Sequence, residues 1–419
     1  MDALLNQPSH AALQGRRVVL GLTGGVACYK AAALCRALVK AGAMVQVVMT
    51  EGAERFITPT TMQALSGQPV HTSQWDARVA NAMPHIELGR QCDVVVVAPA
   101  SADFMARLVH GRADELLSLL CLARPRVRVP LLLAPAMNRE MWQHPATQRN
   151  LQQLIADGAT VLGVGHGEQA CGEFGDGRML EPEQLLQAIG AAVAAPVLAG
   201  RRVLVTAGPT YEALDPVRGI TNLSSGKMGF ALARAAREAG AQVHLVAGPV
   251  AEPTPWGVTR VDVRSAQDMH AAVQHLLPQT ELFLACAAVA DWRPAEQHPS
   301  KIKKTGQQAA PAVGLIPNPD ILAEAAATEA ARTGRLFCVG FAAESEHLQA
   351  HATAKRERKN VPLLVGNIGP STFGADDNAL LLVDAQGCVE WPRAPKIDLA
   401  RRLIGHVAKQ MQNVEWAGT

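Results

Sequence analysis

The stretch R-R-V-V-L-G-L-T-G-G at residues 16–25 decides the fold predicted for the first half of the chain. Its apolar run, residues 18–22, has the length of a buried strand and enters a turn of small residues. An Ala- and Leu-rich helical stretch follows as far as Lys40, and residues 43–49 form a second apolar run. This order is typical of a β-α-β unit, in which a helix connects two parallel strands.

The same pattern begins again at residues 201–208, which read R-R-V-L-V-T-A-G after an Ala- and Pro-rich stretch at 191–200. A helical stretch that ends in A-G-A at 239–241 mirrors one that ends in A-G-A at 41–43. The repeat predicts two domains, residues 1–200 and 201–419, and a chain of 419 residues suits two α/β domains.

Further apolar runs predict more strands in each half. They are residues 94–98 and 129–134 in the first half, and 282–286, 336–340, 363–365 and 379–383 in the second. Helices are expected between them, including residues 346–358 and 397–411. We therefore expect an α/β fold with two doubly wound, Rossmann-like domains.

Composition argues against several classes of function. The formal charge of +2, with acidic and basic residues interspersed, gives no field for nucleic acid or an anionic membrane. Residues 1–15 lack the basic and apolar regions of a signal peptide, and no apolar run is long enough to span a membrane. We expect a cytoplasmic protein. The eight cysteines form no C-x-x-C pair, which argues against disulfides and structural zinc.

The turn at residues 23–25 lies between a strand and a helix, where backbone amides can hold a phosphate. A tight turn without a ligand explains the same residues. The segment is not G-x-G-x-x-G, and the second strand ends in Met49 and Thr50 instead of an acidic residue. Both features count against a nicotinamide dehydrogenase.

Four more segments of the first half carry side chains suited to chemistry. They are P-H-I-E-L at 84–88, P-A-S-A-D at 99–103, P-A-M-N-R-E-M-W at 135–142 and the Gly-rich G-E-Q-A-C-G-E-F-G-D-G-R-M at 167–179. By themselves they could be a surface histidine, two capped helices and an exposed turn. Four glycines within residues 167–177 also suit a loop that closes over a substrate.

Together these segments resemble the homo-oligomeric flavin-containing cysteine decarboxylases. The resemblance implies His85, Asn138 and Cys171 as catalytic residues, with Cys171 donating a proton from a mobile substrate flap. It also implies that Met137 and Asn138 hold the pantothenoyl substrate. The implied FMN contacts are Thr23, Gly24, Gly25, Thr50, Ser101 and Ala102. Flavin chemistry suits the reaction, because oxidation of the cysteine thiol provides an electron sink for decarboxylation.

The second half contains T-N-L-S-S-G-K-M-G at 221–229, which is similar to the end of a phosphate-binding P-loop. Thr221 stands where that motif needs glycine, which argues against a P-loop. Further along are A-A-V-A-D-W at 287–292, K-I-K-K at 301–304 and P-N-P-D at 317–320. Lys355 and Lys359 share one face of a predicted helix. Alone, these lysines could simply be solvated surface charges.

In this order the segments resemble the phosphopantothenate–cysteine ligases. The resemblance implies that Asn222 stabilises an acyl-cytidylate and that Lys301 acts on the CTP phosphates, with Mg²⁺ bridging them. It identifies no metal ligands. Tyr211 departs from the arginine of many relatives, which affects the expected phosphopantothenate contacts. The implied CTP contacts are Asp291, Lys301, Pro317, Asn318, Pro319, Asp320, Phe341, Lys355 and Lys359.

The two resemblances cover residues 16–415 and imply a bifunctional phosphopantothenoylcysteine decarboxylase and phosphopantothenate–cysteine ligase of coenzyme A biosynthesis. The expected substrates are 4'-phosphopantothenate, cysteine and CTP, with FMN as cofactor. The family implies trimers of the first domain, which would be flavodoxin-like, and dimers of the second, hence a dodecamer. Two alternatives are a non-catalytic flavin-binding subunit, which should lack His85, Asn138 or Cys171, and a decarboxylase of peptide cysteines. The fused ligase favours phosphopantothenoylcysteine as substrate.

Overall fold

The computed structural model describes residues 12–76, 83–302, 313–344, 346–368, 372 and 374–417, with side chains as far as residue 412. The chain divides into two compact units, Met1–Ala194 and Ala195–Thr419. Within the described residues, no helix is both long and apolar enough to cross a bilayer. Each unit is built around its own sheet, which is parallel in the first unit and mainly parallel in the second.

The first unit alternates strands and helices. Its strands are β1 (Arg17–Leu22), β2 (Met44–Met49), β3 (Val94–Ala100), β4 (Leu131–Pro135), β5 (Thr160–Val161), β6 (Gly165–Glu168) and β7 (Phe174–Arg178). Its helices are α1 (Cys28–Lys40), α2 (Glu51–Glu54), α3 (Pro59–Ser66), α4 (Pro84–Gln91), α5 (Ala102–Val109), α6 (Leu116–Ala123), α7 (Arg139–Gln143), α8 (Pro145–Ala156) and α9 (Pro182–Val193).

Five of these strands form a parallel sheet in the order β2-β1-β3-β4-β5. Strand β3 is buried along its whole length, because helices cover both faces of the sheet. The order is that of flavodoxin-like folds, in which the chain changes direction across the sheet between β1 and β3. This confirms the predicted fold class. Strands β6 and β7 form a separate antiparallel hairpin.

The second unit is larger. Its strands are β8 (Arg202–Ala207), β9 (Tyr211–Ala213), β10 (Gly219–Thr221), β11 (Gln242–Ala247), β12 (Val258–Asp262), β13 (Leu282–Ala285), β14 (Trp292–Pro294), β15 (Leu315–Pro317), β16 (Phe337–Glu344), β17 (Leu363–Ile368), β18 (Asp377–Asp384) and β19 (Gly387–Pro395). Its helices are α10 (Lys227–Glu238), α11 (Ala266–Leu276), α12 (Ile321–Ala326), α13 (Glu329–Arg332), α14 (Leu348–Lys359) and α15 (Lys396–Ala417), with a 3-10 turn at Leu277–Gln279.

Its main sheet has the order β12-β11-β8-β13-β16-β17-β18-β19. The first six strands of that order are parallel and follow the Rossmann pattern, whereas β18 and β19 are antiparallel additions. The sequence pattern predicted the Rossmann-like fold but missed β12, β19 and the small antiparallel pairs β9–β10 and β14–β15. The strands of the two pairs have three residues each, which is too short to show an apolar period, and β12 and β19 are mostly exposed or half-buried.

Close contacts between turns hold the carboxyl edge of this sheet. Gly248 follows β11, and a Cβ atom at this position would lie 1.7 Å from the carbonyl oxygen of Pro209, which follows β8. A Cβ on Gly229 in α10 would lie 2.4 Å from the Cβ of Ala207. Glycine at both positions lets the turns and the helix pack against the strand ends.

We predict that Gly248→Ala destabilises the second unit by about 1–3 kcal/mol, because the backbone must move to admit the methyl group. Thermal and denaturant unfolding would measure the change. The matched control is Gly405→Ala in α15, where a Cβ would meet nothing within 4 Å. That variant should gain about 1 kcal/mol from helix propensity. An unchanged unfolding midpoint for Gly248→Ala would contradict the prediction.

Candidate active sites

The first candidate site lies at the carboxyl ends of β1 and β3, where the strand order of the first unit reverses. The buried Thr23 hydroxyl donates to the Pro99 carbonyl at 2.7 Å and accepts from the Ser101 amide at 2.9 Å. Both capacities of this side chain are therefore used inside the protein. Thr23 joins the two turns that form the wall of a crevice, the position where doubly wound folds bind ligands.

Backbone groups around this crevice suit an anion. Helix α1 begins at Cys28 without a hydrogen bond from any capping side chain, and α5 begins beside Ser101, whose hydroxyl accepts from the Phe104 amide at 3.2 Å. A Cβ on Gly24 would press on the backbone of Gly52 at 3.2 Å. Two helix N-termini therefore lie at one edge, where their dipoles favour negative charge.

Two adjoining cavities of about 580 and 620 Å³ open at this edge. They share the residues Gly24, Ser101, Ala102 and Met141. The first extends to Thr23, Thr50, Arg55 and Arg107, and the second to Gly25, Met137, Asn138 and Cys171. All six predicted FMN contacts thus line one or both cavities, and the predicted substrate residues line the second.

Asn138 connects a helix to the hairpin. Its side-chain oxygen accepts from the Met141 amide at 3.0 Å, which caps α7, and its amide donates to Glu173 at 2.6 Å. Glu173 belongs to the turn between β6 and β7, which is the segment predicted to be a flap. Glu173 was not among the residues predicted from the sequence, although it lies two residues after Cys171 in the same Gly-rich segment.

Cys171 lies in that turn and is exposed, with its Sγ 3.9 Å from the side-chain oxygen of Gln169. The chain's other cysteines are buried or half-buried. Burial raises the pKa of the Cys28 thiol to about 11 and that of Cys121 to about 12. Those thiols stay protonated inside the core, so Cys171 is the thiol best placed to meet a substrate.

His85 lies apart from this cavity. It is the second residue of α4, is half-buried, and has no partner for its buried Nδ1 atom among the described residues. Because α4 leads directly into β3, its first turn lies toward the carboxyl edge of the sheet. His85 nevertheless lines neither cavity. Among the described residues, His85 is therefore not part of the cavity wall that Asn138 and Cys171 share.

Lys30 is a charged residue in the wall of the second cavity, and it was not predicted from the sequence. It is buried in α1, and its ammonium donates to the Met179 carbonyl at 2.9 Å and to Glu181 at 2.7 Å. These bonds connect α1 to the residues just after the β6–β7 hairpin. The available signal was a lysine on the apolar face of a predicted helix.

The second candidate site lies at the carboxyl ends of β8 and β13, where the order of the larger sheet reverses. The Ala288 amide donates to Gly208 at 2.9 Å, and the Ala288 carbonyl accepts from the Thr210 amide at 3.2 Å. The Asn222 side-chain amide donates to the same carbonyl at 2.8 Å. The loop before α10 is thus joined to both strand ends beside a cavity of about 350 Å³.

Four of the predicted ligase residues line this cavity, namely Asn222, Asp291, Phe341 and Lys355. The segment at 317–320 lies next to it, since the Asn318 amide donates to the Asp291 carbonyl at 2.9 Å. Lys359 does not join Lys355 at the cavity, because its ammonium pairs with the Asp320 carboxylate. Burial lowers the pKa of Lys359.

Lys301 is exposed and lies outside the lining of the cavity. Its neighbour Ile302 is fixed, because the Ile302 amide donates to Asp215 at 3.1 Å and its carbonyl accepts from Arg218 at 2.8 Å. Burial alone would raise the pKa of Asp215, but Arg218 and three backbone amides hold it well below its usual range. Lys303 and Lys304 of the same motif lie outside the described residues.

Several polar residues of the ligase cavity in the second unit were not predicted from the sequence. They are Lys227, Asn367, Thr372, Asn378 and Lys396. Lys227 belongs to the S-S-G-K motif, which was a signal for a binding residue. The other four residues are distant in sequence from the ligase motifs and carry no local signal. In the described part of the chain, no cluster of three or more His, Cys, Asp or Glu side chains could hold a metal ion.

Comparison with known proteins identifies the family. The chain matches the Flavoprotein family over residues 6–194 and the DNA/pantothenate metabolism flavoprotein C-terminal domain over residues 198–411. The coenzyme A biosynthesis bifunctional protein CoaBC of Vibrio cholerae is 48% identical over 403 residues, which cover 95% of this chain and 99% of that protein. The chain belongs to the CoaBC family. The CoaBC protein of Escherichia coli K12 is 46% identical, covering 94% of this chain and 97% of its own.

Two of the solved structures similar to this CoaBC family member each cover about half of it. A crystal structure of the C-terminal domain of CoaBC has 34% identity and a TM-score of 0.45, covering 52% of this chain and all of that one. A PPC decarboxylase variant complexed with pantothenoylaminoethenethiol has 31% identity and a TM-score of 0.38, covering 42% of this chain and 97% of that one.

Membership of the CoaBC family makes the chain a bifunctional enzyme of coenzyme A biosynthesis, with decarboxylase and ligase activities and a flavoprotein first half. The predicted family, the α/β fold class and the predicted pair of activities are therefore confirmed.

We predict that Thr23→Val in this member of the CoaBC family destabilises the first unit by about 1–3 kcal/mol, because the amide of the half-buried Ser101 loses its acceptor. The crevice should loosen, and less flavin should stay with the protein on gel filtration. Unfolding curves and the visible spectrum measure both effects. Thr61→Val, on the exposed face of α3, is the control and should change neither. Full flavin retention with parental stability would contradict the prediction.

Proposed function

We propose that residues 1–200 decarboxylate 4'-phospho-N-pantothenoylcysteine to 4'-phosphopantetheine with FMN. In this proposal, residues 201–419 first make that substrate from 4'-phosphopantothenate and cysteine with CTP. The observation that carries it is the second cavity of the first unit, whose lining includes both Asn138 and the exposed thiol of Cys171 although they are distant in sequence. The protein would act in the cytoplasm.

The crevice between β1 and β3 suits FMN. The uncapped start of α1, the glycines at 24 and 25, and Ser101 and Ala102 at the start of α5 would hold its phosphate. Thr50 lines the first cavity, where its hydroxyl already caps α2. A bound FMN supplies a two-electron oxidation of the substrate thiol and later the electrons that reduce the enethiol.

The residues of the second cavity would orient the substrate and deliver a proton. Met137 would contact the pantothenoyl chain, and Asn138 would bind a polar group of it if the flap residue Glu173 moves away. Cys171, at the tip of the hairpin, would protonate the enethiol carbon as that group is reduced. A hairpin tip joined to the cavity wall by only a few polar contacts can open and close around the substrate.

His85 would act in a neighbouring copy of the chain. It belongs to neither cavity of its own unit, yet its buried Nδ1 has no partner among the described residues. The proposed trimer of the first unit would bring α4 of one copy to the cavity of the next, where His85 would take the thiol proton. Together with dimers of the second unit, trimers would build the proposed dodecamer.

We predict that Cys171→Ser converts the substrate only as far as the enethiol, because a hydroxyl is a much weaker acid than a thiol. Mass spectrometry after incubation with phosphopantothenoylcysteine would show loss of carbon dioxide and of two further hydrogens. Cys388→Ser, which alters a half-buried thiol of the other unit, should give 4'-phosphopantetheine as the parent does. Complete conversion by Cys171→Ser would assign the proton to another group.

The ligase cavity suits activation of a carboxylate. The Asn222 amide, a neutral donor fixed on the Ala288 carbonyl, would hold the acyl-cytidylate oxygens. Asp291, the segment at 317–320, Phe341 and Lys355 would surround the CTP, and Lys359 would reach it only by leaving the Asp320 carboxylate. Lys301 would approach the phosphates from the exposed segment beside Ile302. Mg²⁺ would enter with the nucleotide and neutralise charge as pyrophosphate leaves.

We predict that Lys301→Gln blocks formation of the acyl-cytidylate, whereas Asn222→Asp allows nucleotide binding but makes no amide. A carboxylate at position 222 would repel the phosphate oxygens and offer no N–H. Pyrophosphate release from CTP, phosphopantothenate and Mg²⁺ without cysteine measures the first step. Lys409→Gln, an exposed lysine of α15, is the control and should behave as the parent.

Two results would count against the ligase proposal. If Lys301→Gln accumulates the intermediate at the parental rate, Lys301 has no part in activation. If ATP supports the parent reaction as well as CTP does, the proposed nucleotide is wrong.

A further inference from the structure

Lys227, the lysine of the S-S-G-K motif, forms an ion pair with an aspartate of its own unit. Lys227 is the first residue of α10 and lines the ligase cavity. Its ammonium donates to the Asp376 carboxylate at 2.6 Å and to the Gly374 carbonyl at 2.9 Å. A substrate anion in the cavity can form a full ion pair with Lys227 only if the Asp376 carboxylate moves away from the ammonium.

The two partners of this ion pair are unequally exposed. The Asp376 side chain is 91% exposed, whereas that of Lys227 is 30% exposed. The carboxylate can therefore turn into water and stay fully hydrated, while the ammonium stays at the cavity wall. An ion pair with one exposed partner contributes little to stability, so a phosphoryl group can displace the carboxylate at low cost.

A second lysine holds the backbone around Asp376 independently. We call residues 372 and 374–376 the strap. Lys396, the first residue of α15, is buried and donates to the Thr372 carbonyl at 2.9 Å and to the Ala375 carbonyl at 2.5 Å. Release of the Asp376 side chain would leave these bonds intact. The cavity wall can thus keep its shape while Lys227 exchanges the Asp376 carboxylate for a substrate anion.

The charges of the cavity favour this exchange. Three lysines line it, Lys227, Lys355 and Lys396, against one acid, Asp291. Two of the three substrates of the proposed ligase reaction, CTP and phosphopantothenate, carry phosphoryl groups, and such groups form strong charge-assisted hydrogen bonds with lysine. The Asp376 carboxylate accepts from the Lys227 ammonium as an oxygen of such a group would.

We propose that Lys227 is a substrate-binding residue of the ligase and that its ammonium pairs with Asp376 until a substrate binds. A phosphoryl oxygen of the entering substrate displaces the Asp376 carboxylate from Lys227, and Lys396 keeps the strap in place during the exchange. The inference rests on the ligase function proposed above. It assigns opposite effects to the two partners of one ion pair, since Asp376 competes with the ligand and Lys227 binds it.

The test measures affinity by isothermal titration of the full chain with CTP and Mg²⁺ in one arm and with phosphopantothenate in the other. Lys227→Gln should weaken binding of one ligand by about tenfold to a hundredfold, the usual effect of losing a charged hydrogen bond. Asp376→Asn should leave that affinity unchanged or increase it several-fold. Lys227→Arg, which keeps the cation, should recover most of the lost affinity. Unfolding curves establish that each variant is folded.

The outcomes separate the inference from the function on which it rests. If the pair merely supports the fold, Lys227→Gln and Asp376→Asn will weaken binding alike, or neither will change it, and the exchange is wrong. The arm in which only Lys227→Gln loses affinity identifies the phosphoryl group as that of the nucleotide or that of phosphopantothenate. If the parent binds neither ligand, the proposed ligase function fails, and the exchange with it.

Discussion

Hydrogen bonds between the turns of two adjacent parallel strands are the interaction on which both sites depend. In the first unit the Thr23 hydroxyl bridges the ends of β1 and β3. In the second unit the Ala288 backbone bridges the ends of β8 and β13. Each pair is the place where the strand order reverses, so the chains leaving the two strands diverge and open a crevice. The bridge fixes the width of that crevice.

The two crevices manage charge differently. The first offers backbone amides and helix ends, and its buried cation, Lys30, is neutralised by Glu181. The second concentrates lysines, of which Lys227 is held by Asp376 and Gly374 and Lys396 by two strap carbonyls. Burying an ammonium costs free energy unless acceptors surround it. Burial and the neighbouring Lys227 lower the pKa of Lys396. The two carbonyls must therefore offset the free energy of keeping this ammonium charged inside the protein.

The fold and part of each site could be predicted from local sequence. The apolar runs located β1, β2 and β8, and the motifs around Asn138, Cys171 and Asn222 named residues that line the cavities. Pairings made in three dimensions could not be predicted. Helical spacing placed Lys355 and Lys359 on one face, but Asp320, from a distant loop, holds Lys359 away. Lys396 has no motif, because its partners come from another part of the chain.

The S-S-G-K loop shows why a motif needs its tertiary context. In a P-loop, glycine lets the backbone wrap around a phosphate and leaves the lysine free to reach it. Here the Thr221 hydroxyl donates to the Thr210 carbonyl at 2.8 Å, and Asn222 is bound to Ala288. The loop is therefore fastened to the strand ends and cannot wrap. Thr221 closes the loop against the sheet at the position where a P-loop glycine would leave the backbone free.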